Sequence, residues 1–529
     1  MTRPASAVAS MPTPDAAAAD SDSREIEVKF RTDRDGLKRA QASQVVASVS
    51  VPRTENVRST YFDTVSGDLR KNGIVLRIRR KGRARPTLGV KAAQMDDGPF
   101  SRKDVEVHSP SLYPDLTLFN EGTARELIAL VEDRPLAAQF ETTIKRRTIL
   151  VERGQSQIEV AFDEGVIAVA GRSVPLTEIE LELKSGDEPA LYDLAMSLAE
   201  ELPLQLDFVS KGERGFRAVS EETAAAVKAG PIQFAPAATL DDAVQAVISN
   251  TLWHFVANWD ALRGAQDPVA IHQMRVALRR MRAALAMFKR ALPCSEFDFL
   301  RGEAKRIASA LGPARECDVF RETAEGGPLE HPDRPENCTT LLAAIEERRI
   351  AAYEDARVRL EDRDTMLFVL KVQSLLARRT WRNALTGPEL AQLTAPAADF
   401  AQQTLDRLRN RALKRGKKLM ELSDEARHDL RIVLKNLRYG AEFYRGLFGR
   451  RQNVKAYLRT ISTLQDLLGA HNDAVTAKQF LSGLATTHDA DAERASGFIL
   501  GWQARATSLA DAELEAIWKT FKQAKPFWN

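Results

Sequence analysis

At 529 residues the chain exceeds what one hydrophobic core usually supports, so more than one domain is expected. Its 44% hydrophobic and 28% charged residues are those of a soluble globular protein, and no apolar run is long enough for a membrane span. The net charge of +3 excludes a strongly basic composition, so arguments about anionic partners rest on where the charges stand. Three cysteines, Cys294, Cys317 and Cys338, lack metal-ligand spacing and are odd in number, which predicts packing roles in a reducing cytoplasm.

Residues 1–23, rich in Ala, Ser, Pro and Asp, read as a disordered tail. Over Glu25–Phe30 a two-residue period puts Glu25, Glu27 and Lys29 on one face and Ile26, Val28 and Phe30 on the other. The alternation recurs in Leu76–Arg79, in Arg102–Val107 and in Glu178–Lys184. Turn signals such as Ser66-Gly67-Asp68 and Arg153-Gly154 separate the runs, and helical stretches stand near Gly122–Val131 and Pro189–Leu202. Strands with one apolar and one doubly charged face predict a closed sheet over residues 24–220, charges inward and apolar side chains outward under helices.

Such a lumen needs contents, because unpaired buried charge is costly and paired buried charge stabilises little. Carboxylates at strand spacing suit a hard divalent cation, and Lys and Arg suit phosphate oxygens. Together they point to a metal-chelated polyphosphate.

Residues 221–238, with Gly230-Pro231 and Pro236, read as a short helix and a linker, and 239–529 as helical throughout. This half repeats itself: His272/His428, Arg275/Arg431, Arg279/Lys435 and Arg282/Arg438 correspond. The core stripe Met274, Leu278, Met281, Leu285, Phe288 matches Leu430, Leu434, Leu437, Ala441, Tyr444, and Leu311-Gly312 matches Leu468-Gly469. The fold class predicted is therefore α+β: an N-terminal antiparallel β-tunnel with flanking helices, then an all-α duplicated helical bundle.

The first motif set is Glu25-x-Glu27-x-Lys29, Tyr61–Thr64, Gly73–Arg79, Lys91, Glu159–Asp163, Glu178-x-Glu180-x-Glu182-x-Lys184 and Ser210–Gly215. In this order it resembles the CYTH superfamily, the triphosphate tunnel metalloenzymes. The resemblance implies divalent-metal dependence on Mg²⁺ or Mn²⁺ and hydrolysis or cyclisation of triphosphates. It implies Glu25, Glu27, Glu180 and Glu182 as catalytic metal-holding residues, with Glu106 and Asp163 as further ligands. Lys29, Arg58, Arg77, Arg79, Lys91, Arg147, Lys184 and Lys211 would grip phosphate. Asp104 stands where the family has Glu.

The second set, His272-x-x-Arg275-x-x-x-Arg279-x-x-Arg282 and its copy His428, Arg431, Lys435, Arg438, resembles the CHAD domain. That likeness implies helical bundles whose basic surface binds inorganic polyphosphate. The residues agree in sign: Ile271–Arg290 holds no acid, and Arg407 to Lys418 is strongly basic. Nucleic acid is the competing polyanion, disfavoured because these helices interleave few stacking aromatics. The expectation is an inorganic triphosphatase acting on triphosphate or short polyphosphate, cytoplasmic and associated with polyphosphate chains or granules, with no membrane partner. Its alternatives are a thiamine triphosphatase, an adenylate cyclase, or a non-catalytic polyphosphate-binding scaffold. Oligomeric state is not legible.

Overall fold

Nine antiparallel strands precede a run of helices. They are β1 (Ser23–Arg31), β2 (Arg53–Thr64), β3 (Ile74–Lys81), β4 (Thr87–Ala93), β5 (Ser101–His108), β6 (Leu136–Arg153), β7 (Ser156–Val169), β8 (Arg172–Ser185) and β9 (Gln205–Leu206). The computed structural model describes residues 23–47, 50–93, 98–132, 134–383, 385–448, 453–484 and 489–528. Of the expected N-terminal tail, residues 1–22 lie outside these. Between the strands come α1 (Arg34–Ala42), α2 (Asp68–Lys71), α3 (Glu121–Val131), α4 (Glu188–Glu201) and α5 (Lys211–Ser220).

The strand order β5-β4-β3-β2-β6-β7-β8-β1 closes into a barrel, because residues 23–26 of β1 pair back onto β5. Closure leaves no free edge around the lumen, and β9 joins the far end of β1. Outward apolar residues divide between two coats. Ile26, Val28, Phe30, Val160, Phe162, Ile179 and Leu181 pack with α1, α4 and the helical half. Phe62, Leu76, Ile78, Leu88, Val90 and Val105 pack with Ala124, Leu127 and Val131 of α3.

The lumen is not charged along its whole length, which corrects the simple expectation of charges inside. At one end Tyr61, Phe140, Ile144, Ile167 and Leu176 point inward and bury Phe216 of α5. Phe140 stacks on Tyr61 at 4.4 Å and meets Phe216 edge-on at 5.1 Å. Gly215 lets α5 sit this low, since a Cβ there would overlap the Phe140 ring. Ser210 caps α5, its hydroxyl accepting from the Glu213 N–H at 3.1 Å.

The helical half comprises α6 (Leu240–Val256), α7 (Trp259–Gly264), α8 (Pro268–Phe288), α9 (Ser295–Ala310), α10 (Gly312–Glu325), α11 (Thr339–Leu360), α12 (Arg363–Arg378), α13 (Gly387–Leu393), α14 (Ala397–Arg415), α15 (Asp424–Tyr444), α16 (Asn453–Ser482) and α17 (Ala490–Gln523). The repeat surfaces as α8 and α15, 21 residues each, and the matched core stripes are fully buried in both. Pro313 splits the next segment into α9 and α10, whereas Ala470 at the matching place lets α16 run unbroken for 30 residues.

The short helix expected in 221–238 does not form. Instead Val227 donates its N–H to Asn258 Oδ1 at 2.8 Å and accepts from Asn258 Nδ2 at 2.9 Å, so tertiary bonds replace helical ones. The two halves also share one apolar core: Phe208 packs on Trp259, and α4 packs against α12.

Gly215→Ala is expected to destabilise the chain by about 1–3 kcal/mol through overpacking, whereas Gly302→Ala in α9 should be neutral or stabilise by up to about 1 kcal/mol. No neighbour stands within 4 Å of a Cβ at Gly302. Denaturant unfolding of the two variants checks the pair; equal effects contradict the close approach of α5.

Candidate functional site

Inside the barrel, charged residues meet across neighbouring strands in register. Glu27 of β1 faces Glu182 of β8, Lys29 faces Glu180, and Glu182 in turn faces Glu159 of β7. Arg146 of β6 faces Asp163, Lys91 of β4 faces Asp104, and Arg102 of β5 faces Glu25. All of these side chains except that of Asp163 line a cavity of about 400 Å³, whose walls also include Arg77, Arg79 and Glu106. Eleven lysines and arginines against nine carboxylates line it, so the lumen carries an excess of cations.

Ion pairing is dense. Lys29 Nζ lies 2.9 Å from Glu27 and 3.4 Å from Glu180, while Lys91 pairs with Glu25 and stands 3.0 Å from Asp104. Arg77 donates to Glu106 at 2.7 Å, and Arg79 reaches the same oxygen at 3.4 Å. Arg146 grips Asp163 with two nitrogens at 2.7 and 2.6 Å and Glu180 at 2.5 Å. Lys211, at the N-terminus of α5, lies 2.9 Å from Asp163 and 2.8 Å from Glu180 and pairs with Glu178.

These contacts set the protonation states. Burial, with Glu27 close by, pushes the Glu25 carboxyl up to about 7 despite Lys91. Burial raises Glu27 too, but Lys29 and Lys91 outweigh it and hold that carboxyl at about 2. Glu106 is likewise buried yet brought down to about 2 by Arg77 and Arg79. Glu178 is raised, chiefly by burial, and Lys211 is held above its ordinary range because Asp163, Glu178 and Glu180 outweigh burial.

The donor set fits a hard cation, since the lumen's acids offer only carboxylate oxygens. Among the described residues one trio, Asp163, Glu178 and Glu180, brings oxygens within 4.8 Å of one another. Lys211, however, contacts all three members and already supplies the positive charge there. The like-charge crowding that raises Glu25, from Glu27, Asp104 and Glu182, is what a divalent cation at the other acidic group would relieve.

Two expected phosphate-gripping residues are not in the lumen. Arg58 stands two-thirds exposed and bonds Glu141 on the outer wall. Arg147 also points outward, its Nη1 donating to Gln41 of α1 at 3.3 Å. Its neighbour Arg146 takes the inner place, because adjacent strand residues alternate faces. Lys184 sits half-exposed at a mouth of the cavity, donating to Glu182 at 2.7 Å. Alternation places Arg102 and Glu178 on the charged face, although the resemblance gives neither a role, whereas nothing in the pattern singles out Arg146, because apolar residues of β6 occupy both faces. The Ser210-x-x-Glu213 cap was the missed sign of α5.

In the helical half, the repeat arginines anchor neighbouring helices. Arg275 donates to the Ala308 carbonyl of α9 and Arg431 to the Gln465 carbonyl of α16 at 3.2 Å. Each guanidinium lies where a Cβ on Gly312 or Gly469 would meet it, at 3.1 and 2.7 Å, which explains the repeated Leu-Gly. His272 is half-buried and brought down to about 4 by burial, Arg315 and Arg279; His428 is exposed. Arg282 is also lowered, by burial and then by Arg301 and Arg279, so cations crowd one another here. Lys435 lies half-buried on α15, and Arg438 bonds Glu442 at 3.5 Å. Arg280, in the basic run, is buried against Phe443 and donates to Asn250 at 3.0 Å.

The CYTH domain model matches residues 23–216, and the CHAD domain model matches residues 246–482. The chain is a CYTH domain followed by a CHAD domain. The CYTH region is similar to an inorganic triphosphatase of Haemophilus influenzae, 32% identical over 187 residues. That match spans 33% of this chain and about half, 49%, of the relative. An uncharacterized protein of Mycobacterium tuberculosis is 25% identical over 460 residues, 82% of this chain and 83% of that one. Among solved structures, the CHAD domain of the plant Ricinus communis is 29% identical, covering 57% of this chain and 98% of that chain at a TM-score of 0.49. No helix among the described residues is long and apolar enough to cross a membrane.

The Glu25 shift has a pH signature for the CYTH tunnel. A carboxyl raised in the folded state contributes stability below about 4.5 that is lost as the pH rises through about 7. Without divalent cations, the fall in melting temperature across that window is expected to be smaller in Glu25→Gln than in the parent chain. Equal falls in thermal denaturation scans contradict the assignment.

Proposed function

We propose that the CYTH tunnel hydrolyses inorganic triphosphate or short polyphosphate with Mg²⁺ or Mn²⁺ bound. The observation that carries this reading is the cavity itself: a lumen lined by cations in excess and by several carboxylates, enclosed by a barrel. Its volume lies in the range of sites that enclose small ligands. The likeness to the Haemophilus influenzae protein favours triphosphate among polyanions.

Glu25, Glu27 and Glu182 would hold the divalent ion, with Glu180 bordering them. When bound, the metal supplies charge neutralisation on phosphate oxygens and acidifies water. Lys29, Arg77, Arg79, Lys91 and Arg146 bind and orient the phosphates, Arg146 in place of Arg147. Lys184 meets the chain at the mouth. The N-terminal end of α5 adds backbone dipoles directed at the anion, next to Lys211. Phosphoryl transfer asks chiefly for such positioning and neutralisation.

For the CHAD domain we propose binding of polyphosphate chains, placing the protein at cytoplasmic polyphosphate granules. The support is the crowding of Arg315 and Arg279 on His272 and of Arg301 and Arg279 on Arg282, which an anion would screen. Arg275 and Arg431 serve mainly to hold the helices that present this surface.

The test is phosphate release by the full chain from triphosphate, long polyphosphate, ATP and thiamine triphosphate, each with Mg²⁺, Mn²⁺ or chelator. Triphosphate is expected to be the preferred substrate, and Glu182→Ala to lower metal-dependent release by on the order of 100-fold while the protein stays folded. Full activity in that variant, or preference for ATP or thiamine triphosphate, contradicts the proposal. Retention of long polyphosphate over DNA of matched charge tests the CHAD role, and equal retention contradicts it.

A further inference from the structure

The helix that carries Lys211 is held from outside the barrel by the CHAD domain. Glu178, fully buried, pairs with Lys211 and accepts from Arg214 Nη2 at 2.9 Å. The same Arg214 nitrogen reaches Asp207, itself 3% exposed. Asp207 stands 3.9 Å from Arg263 of α7, and its backbone N–H donates to the Lys29 carbonyl at 2.9 Å. Arg263 is fixed on its other sides, donating to the Leu206 carbonyl at 3.0 Å and to Glu361 at 2.7 Å. One turn further along α5, Arg217 bonds Glu213 at 2.9 Å and pairs with Asp260, also on α7.

A contiguous row of opposite charges thus runs Lys211, Glu178, Arg214, Asp207, Arg263, Glu361. Asp207, Arg214 and Arg263 do not line the cavity, so none of them is placed to touch a substrate. Their effect on the site is geometric. Arg214 divides its charge between Glu178 and Asp207, and Asp207 is shared with Arg263. Arg214 is the nearer cation to Asp207; removing Arg263 takes away a second one and draws Arg214 away from Glu178 toward Asp207. The Glu178 oxygens are then freed to turn, and Lys211, bonded to one of them, moves with them.

We propose that Arg263 of the CHAD domain is a positioning residue for the tunnel site, acting through Asp207 and Arg214 to fix Glu178 and the Lys211 ammonium. This rests on the triphosphatase reading of the tunnel. It makes the CHAD domain part of the site's supporting structure rather than a separate binding module.

The test uses the full-length chain with inorganic triphosphate and Mg²⁺. Arg263→Gln is expected to raise KM about tenfold with kcat within about twofold, because Lys211 is displaced from a ground-state contact. Arg214→Gln should do the same, and the double variant should be no worse than either single one, as expected for residues acting in series. Arg263→Lys, which keeps the charge but not the planar fork, should restore KM to within about threefold of the parent. Should Arg263→Gln fail to fold, the Lys variant carries the comparison, its smaller KM rise vanishing in the Arg214→Gln background. Multiplied effects in the double variant, or an unchanged KM in Arg263→Gln, overturn the proposal. Calorimetric binding of triphosphate runs alongside. A parent chain that binds triphosphate without cleaving it refutes hydrolysis and leaves the relay to be judged on Kd; one that binds none refutes both.

Discussion

Charge compensation inside a closed sheet is the constraint from which the rest of this structure follows. Isolated ions cannot be buried in a barrel, and even well-paired ones contribute little net stability compared with apolar residues of similar volume. The lumen nevertheless holds Glu27, Lys29, Arg77, Asp163, Glu178 and Lys211, all buried. The barrel tolerates them because strand register sets opposite charges side by side, and because the apolar coats outside and the aromatic plug under α5 supply the stabilisation. A core chosen for stability alone would not be built this way, which is the physical reason to seek its purpose in a ligand.

The shared core between the two domains extends that logic. Phe208 on Trp259, Tyr192 beside Gln373 and α4 against α12 bury part of the barrel's outer wall under CHAD helices. The CYTH domain therefore does not end at its own last helix; its apolar coat is completed by the other domain. Arg263 and Asp260 sit at that junction, next to the helix that closes the lumen.

Much of this was legible from residue order. Period-two alternation around Glu25, Arg77 and Glu180 assigned the inner face correctly, since those strands have apolar residues outside and charges inside. The rule failed on β6, where Phe140, Thr142 and Ile144 face inward and Ile149 and Val151 outward. Apolar side chains there occupy both faces, because one end of the lumen is itself an apolar core, so hydrophobicity could not decide between Arg146 and Arg147. Arg58 failed for a related reason: its outward partner Glu141 lies on a distant strand, and only the β2–β6 register brings them together. By its spacing the CHAD repeat reads as a row of anion-binding cations, but a helical period cannot distinguish an arginine facing solvent from one reaching across a glycine to a neighbouring carbonyl, as Arg275 and Arg431 do.

The central claim is that this lumen is made for a metal-chelated phosphate anion. Its most direct test is the melting temperature of the full chain with inorganic triphosphate, with Mg²⁺, and with both. Ligands that bind only the folded state stabilise it in proportion to occupancy. The account predicts a rise with both together that exceeds the sum of the separate rises and is absent in Glu27→Gln. Additive shifts, or the same joint rise in that variant, would contradict it.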